Sequence, residues 1–192
     1  NRKAGSWFFL GEIYTDLPLP VDAPHASKHC GSCHACIDIC PTKAFVKPYV
    51  LDARRCVSYL TIESREPIPL ELRPLMGNRV FGCDDCQLVC PWNSFAKATP
   101  EKDFKPRHGL QNSDLLDLFN WSEEKYLQYT EGSAIRRIGY ECWLRNLAVG
   151  LGNANYSAEN VQSLTARLAY PSELVREHVV WALQEQRKKQ RS

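Results

Sequence analysis

The stretch KHCGSCHACIDICPTKAF, Lys28 to Phe45, packs four cysteines into eleven residues: Cys30, Cys33, Cys36 and Cys40, with Pro41 directly behind. The spacing is C-x2-C-x2-C-x3-C-P, the iron–sulfur run of bacterial ferredoxins. Three thiolates two residues apart can wrap a tight loop around one cubane. The fourth, three residues later, falls at a helix start, points away and serves a second cluster. Proline behind it fixes φ and removes one N–H donor.

A second group follows in FGCDDCQLVCPWN, Phe81 to Asn93. Cys83, Cys86, Cys90 and Pro91 repeat the last part of the pattern without its leading cysteine. Cys56, 27 residues before Cys83, is the obvious substitute. The pairing then closes with crossed ligands. One cubane takes Cys30, Cys33, Cys36 and Cys90; the other takes Cys40, Cys56, Cys83 and Cys86. Two four-cysteine zinc sites are the rival reading, but zinc sites use paired C-x2-C knuckles across a spacer rather than a run ending in Cys-Pro. The ninth cysteine, Cys142, sits in the apolar segment YECWLRNLAV and reads as a packed core thiol. His25, His29 and His34 flank the first run and read as solvated loop residues, because the cysteine count needs no histidine.

Eight of the nine cysteines lie between positions 30 and 90, which argues against a disulfide framework stapling distant loops. No stretch of eighteen apolar residues is present, so no membrane span is expected. No signal peptide is visible, and the missing initiator Met suggests a trimmed or partial chain. Net charge is only +2. Residues 1–100 carry 11 basic and 10 acidic side chains, and residues 101–192 carry 13 and 12. A global nucleic-acid footprint is therefore absent, while a local basic stripe stays open.

The expected fold class is α+β: a bacterial ferredoxin-like two-[4Fe–4S] domain followed by an all-α HEAT-like helical repeat region. Residues 1–27 hold SWFFLGEIYTDLPLP, an aromatic run read as a strand that ends at its prolines. Residues 28–95 carry the cysteines, with two short helices broken near Pro67 and Pro69. Residues 96–112 form a polar connector. Residues 113–192 are helical, with N-caps expected at Ser113, Ser122, Ser157 and Ser172. Leu174, Val175, His178, Val179, Ala182 and Leu183 recur at helical steps and mark one buried face. Leu144–Gly152 can be laid on Val175–Leu183 with an offset of 31 residues, a weak repeat of HEAT-type texture.

AGSWFFLGEIYTDLPL, RCVSYLTIE around Cys56, GNRVFGCDDCQLVCPWN and the helical tail together resemble the epoxyqueuosine reductases, over essentially the whole chain. That resemblance implies a cytoplasmic, monomeric enzyme using two [4Fe–4S] clusters and cobalamin. It would reduce epoxyqueuosine to queuosine at the wobble position of tRNA, with electrons entering from an external low-potential donor. It also implies that the proton-donating residue and much of the cobalamin pocket precede residue 1, so no catalytic acid is assigned. Candidate cobalamin contacts are the segment from Leu10 to Val21, Thr61 and Glu63, and Asn93 and Ser94. Tyr59 and Trp92 read as core or rim aromatics. Candidate tRNA contacts are Arg65, Lys105, Arg107, Arg136, Arg137 and Arg145, with His108 beside them. Alternatives are a reductive dehalogenase-like corrinoid enzyme acting on a small molecule, and a ferredoxin-like electron carrier with a helical docking module.

Overall fold

A computed structural model of the chain describes residues 5–8, 10–23 and 30–191. His25 and His29 lie outside these residues. The architecture is mixed but mostly helical. Helix α1 (Ala35–Ile39) follows the first three cysteines, and Cys40 forms its C-cap. A small antiparallel hairpin comes next, β1 (Phe45–Lys47) with β2 (Val50–Leu51), pairing Phe45 with Leu51. A 3₁₀ turn at Ala53–Arg55 leads to Cys56. Then the backbone widens into a π-turn over Tyr59–Glu63, where the Ser64 N–H reaches the Tyr59 carbonyl at 2.9 Å. Thr61 Oγ1 donates to the Val57 carbonyl at 2.7 Å, and this side-chain competition accounts for the loosened ladder. Helix α2 (Asp85–Leu88) carries Cys86.

The C-terminal part is built from α3 (Leu115–Phe119), α4 (Glu123–Tyr129), α5 (Gly139–Asn153), α6 (Ala158–Ala166) and α7 (Glu173–Gln190). Ser122 caps α4 by accepting from the Lys125 N–H at 3.2 Å, and Ser157 caps α6 by accepting from the Asn160 N–H at 3.3 Å. One cap differs from expectation: the N-cap of α3 is Asp114, one residue after Ser113. Ser172 is the N-cap of α7 as expected, although its hydroxyl turns to Glu141 on α5, at 2.8 Å, instead of to the helix.

Helix α5 is apolar almost all round and is buried on every side, as a central helix must be. Its principal partner is α7, whose expected face is buried at Val175, His178, Val179, Ala182 and Leu183. The two segments of the weak repeat therefore lie on helices that pack against each other. Gly152 makes the approach possible: a Cβ there would sit 2.6 Å from the Trp181 ring and 3.0 Å from the Ala182 Cα.

The aromatic run before the first cysteines does not form a strand. Its described residues are extended without a ladder, and the β1–β2 hairpin is the one sheet among the described residues. Pro18 and Pro20 offer no N–H to a neighbour, and Leu10, Ile13, Tyr14 and Val21 are almost fully exposed.

Candidate metal centre

The cysteines of the two runs fold back on each other because α1 packs against α2. Cys36 on α1 feels the charges of Cys30, Cys33 and Cys90, which gathers the first three cysteines of one run with the last of the other. Cys40, Cys56, Cys83 and Cys86 line a single cavity of about 230 Å³, together with Thr42, Ala44 and Val57. Cys86 feels Cys83 and Cys56 and also Cys36, so the two groups are electrostatic neighbours. Among the described residues no three Cys, His, Asp or Glu side chains converge as they would on a single metal ion. Cys40, Cys56, Cys83 and Cys86 line one shared volume, which suits a polynuclear cluster.

Electrostatics disfavour free thiolates at Cys36, Cys83 and Cys86. Burial pushes the Cys86 thiol up to about 11, helped by the neighbouring Cys83 and Cys56 sulfurs. Cys36 is raised by burial and then by Cys30, Cys33 and Cys90. Cys83 is raised by burial, against the pull of the Asp85 N–H and the Arg79 guanidinium. Bringing four thiolates together here requires a strongly cationic guest, and the donor set fits an iron–sulfur core.

The frame around the cavity is set by polar clamps. Ser58 Oγ accepts from the Cys83 N–H at 2.9 Å, and Thr61 Oγ1 accepts from the Gly82 N–H at 2.9 Å. The Ala44 N–H reaches Cys40 Sγ at 3.3 Å. From α5, Asn146 Nδ2 donates to the carbonyls of Thr61 and Val80, both at 2.9 Å. Arg145 donates to the carbonyls of Leu60, Ser64 and Glu66 at 2.7, 3.0 and 2.8 Å. The central helix thus grips the strap that carries Cys56 and Cys83. A local scan of the sequence offers no signal for Ser58, Arg79 or Asn146 in this role, because their partners lie far along the chain.

The individual expectations divide. Arg145 is fully buried and its guanidinium is spent on backbone carbonyls, so it cannot meet a tRNA phosphate. Thr61 is fully buried and Asn93 is buried, with its Oδ1 accepting from the Ser6 N–H and its Nδ2 donating to the Gln87 carbonyl. Neither is placed to touch a cobalamin. Asn93 instead pins the N-terminal segment at Gly5, where a Cβ would come within 2.4 Å of Asn93 Oδ1. Leu10, Val21, Glu63 and Ser94 are exposed, although Glu63 pairs with Arg137. Tyr59 is 41% exposed, a rim position. Arg65, Lys105, Arg107, Arg136 and Arg137 are exposed. Four of these converge on one segment: Arg107 donates to the Gly132 carbonyl, Arg65 donates to the carbonyls of Arg137 and Ile138, and Arg136 and Arg137 lie within it. His34 is exposed and pairs with Asp38, and Cys142 is a buried thiol, both as expected.

Residues 29–93 match the 4Fe-4S double cluster binding domain. The chain is 68% identical, over 95% of its length, to the epoxyqueuosine reductase of Pseudomonas aeruginosa, of which it spans 51%. It is 58% identical, over 97% of its length, to that of Escherichia coli, of which it spans 48%. The fold is similar to a crystal structure of epoxyqueuosine reductase with a tRNA-Tyr epoxyqueuosine-modified stem loop, with a TM-score of 0.78 and 31% identity over 88% of this chain and 44% of that one. The chain spans about half the length of the curated relatives it matches. The paired cysteine groups, the double-cluster match and high identity along nearly all of its residues agree: the chain is similar to about half of an epoxyqueuosine reductase.

Proposed function

We propose that this chain supplies the electron-relay and RNA-facing parts of an enzyme that reduces epoxyqueuosine to queuosine in tRNA. The observation that carries the reading is the placement of two four-cysteine groups side by side, in a chain so similar to epoxyqueuosine reductases. Cys30, Cys33, Cys36 and Cys90 would hold one [4Fe–4S] cluster, and Cys40, Cys56, Cys83 and Cys86 the other. Clusters held there would supply one-electron transfer, and a cobalamin beside them would supply the reducing chemistry. The protein's own residues do the rest: the α5 clamps hold the ligand strap, and the half-buried cavity positions the Cys40, Cys56, Cys83 and Cys86 sulfurs.

Cobalamin would lie on the side of the exposed Leu10–Val21 ribbon, Glu63 and Ser94. A separate open groove of about 630 Å³ lies beside the cysteines, lined by Asp84 and Gln87 next to Cys83 and Cys86, with Trp7, Phe8 and Phe104. The arginine cluster of Arg65, Arg107, Arg136 and Arg137, with Lys105 nearby in sequence, would contact tRNA phosphates and give salt-dependent affinity. The packed α5–α7 region would act as a HEAT-like platform for that contact. Electrons would come from an external low-potential donor, and the protein would work as a cytoplasmic monomer. Among the described residues no helix is long and apolar enough to cross a membrane.

The test is turnover. The full-length protein, prepared without oxygen and supplied with cobalamin and a low-potential reductant, is expected to convert an epoxyqueuosine-containing stem loop to the queuosine form. Complete inactivity of cluster-loaded, cobalamin-loaded protein would overturn the proposal.

A further inference from the structure

The two cysteine groups differ in what else reaches their sulfurs. In the first, Cys30 and Cys33 are exposed, and Tyr49 lies near Cys30. In the second, the sulfurs are half-buried around a cavity and meet several donors. The Ala44 N–H lies 3.3 Å from Cys40 Sγ, and Thr42 Oγ1 lies 3.8 Å from the same sulfur. Arg79 adds a guanidinium close enough for its positive charge to act on Cys83.

Arg79 is held in place from two directions. Its Nη1 donates to the Met76 carbonyl at 3.1 Å, and its Nη2 meets Asp85 Oδ2 at 2.5 Å. The paired side chains are 30% and 20% exposed. Asp85 itself lies between Cys83 and Cys86 in the chain. A cation and an anion, paired with each other, therefore sit beside one ligand sulfur, and the anion steers the cation.

We infer that Arg79 is a tuning residue for electron transfer, raising the reduction potential of the cluster held by Cys40, Cys56, Cys83 and Cys86. The physical reason is charge. A one-electron reduction adds one negative charge to the cluster and its sulfurs. Hydrogen bonds to the sulfurs and nearby positive charge favour the reduced form, while burial opposes it. Asp85 acts in the opposite sense, disfavouring added negative charge and drawing part of the guanidinium to itself. This inference rests on the two-cluster reading above.

The experiment is a redox titration of the full-length protein, isolated anaerobically with its clusters and followed by electron paramagnetic resonance. The wave lost in Cys56→Ala identifies the cluster in question. Arg79→Gln is expected to move that wave to more negative potential, and Asp85→Asn to more positive potential, while the other wave stays in place. Opposite signs from two neighbouring substitutions are not what general loosening would produce. An unmoved wave in both variants, or shifts of the same sign, would overturn the inference. If Arg79→Gln does not retain the cluster, Asp85→Asn decides alone: a positive shift supports the inference, and no shift or a negative one overturns it. Wild-type protein without iron and sulfide would remove the two-cluster reading itself, whereas intact clusters with unmoved potentials would remove only the role of Arg79.

Discussion

The cysteine-bearing region and the helical region solve the problem of stability in opposite ways. Between Cys30 and Cys56 only Thr42 and Ala44 are buried, and α1 and α2 contain no buried residue. By contrast, α5 alone buries Trp143, Leu144, Leu147, Ala148, Val149 and Leu151, against Val175, Val179 and Ala182 of α7. A segment that buries so little apolar surface cannot offset its own ordering entropy. The segment from Cys30 to Cys56 must therefore be ordered by its ligands, while the polar clamps from α5 hold the following strap at Leu60, Thr61, Ser64, Glu66 and Val80. The helical region carries its own core and lends part of it to the strap.

The largest expected effect follows from that contrast. Removing iron and sulfide should abolish hydrogen-exchange protection across residues 30–56 while α5 and α7 stay protected. Uniform loss, or none, would erase the distinction between the regions. Next in size is the crossed pairing. Cys90→Ala should reduce iron from about eight to about four atoms per chain, and the cluster lost should be the one held mainly by the first run. Loss of the other cluster would break the assignment.

Arg145→Ala tests the coupling between the regions. It removes a buried cation and leaves the Leu60, Ser64 and Glu66 carbonyls without their donor, at a cost of about 3–5 kcal/mol in denaturant unfolding. It should also weaken retention of the Cys56-containing cluster. A variant of unchanged stability would mean that the clamp carries little.

A pH experiment sharpens the same boundary. His178 on α7 accepts from the Ile68 N–H at 3.1 Å and bonds the Leu174 carbonyl at 2.7 Å. Burial, then the nearby Arg73 cation, pushes its pKa down to about 4 from the ordinary 6.5. The folded state thus binds this proton less readily than the unfolded chain. The neutral ring is fully compatible with folding above pH 6.5, and stability should fall by about 3 kcal/mol as pH drops from 6.5 toward 4. His178→Gln should flatten that part of the profile. The smallest effect belongs to packing alone. Gly152→Ala should cost about 1–3 kcal/mol by pushing α7 from α5, with the clusters retained.

Much of the site was legible because cysteine spacing is a local code: the crossed grouping follows from two runs and one orphan. The caps at Ser122 and Ser157 and the buried face of α7 were legible for the same reason, since each depends on neighbours within a turn or two. What depended on distant partners was not. Arg145 reads as a surface cation only if α5 has a surface, and its apolar flanks in CWLRNLAV were the hint that it has none. Thr61 and Asn93 looked like free polar groups near the cysteines but are consumed by Gly82, Val57, Ser6 and Gln87. Arg79 had no local mark at all. The aromatic ribbon before Cys30 carried strand-like residues but has no strand beside it among the described residues.

The central claim is that two swapped sets of four sulfurs hold two iron–sulfur cubanes next to each other. Iron and acid-labile sulfide analysis of anaerobically isolated protein tests it most directly. The expected result is about eight of each per chain, with a brown chromophore that bleaches on reduction. One or two zinc atoms per chain with no sulfide, in colourless protein, would contradict it.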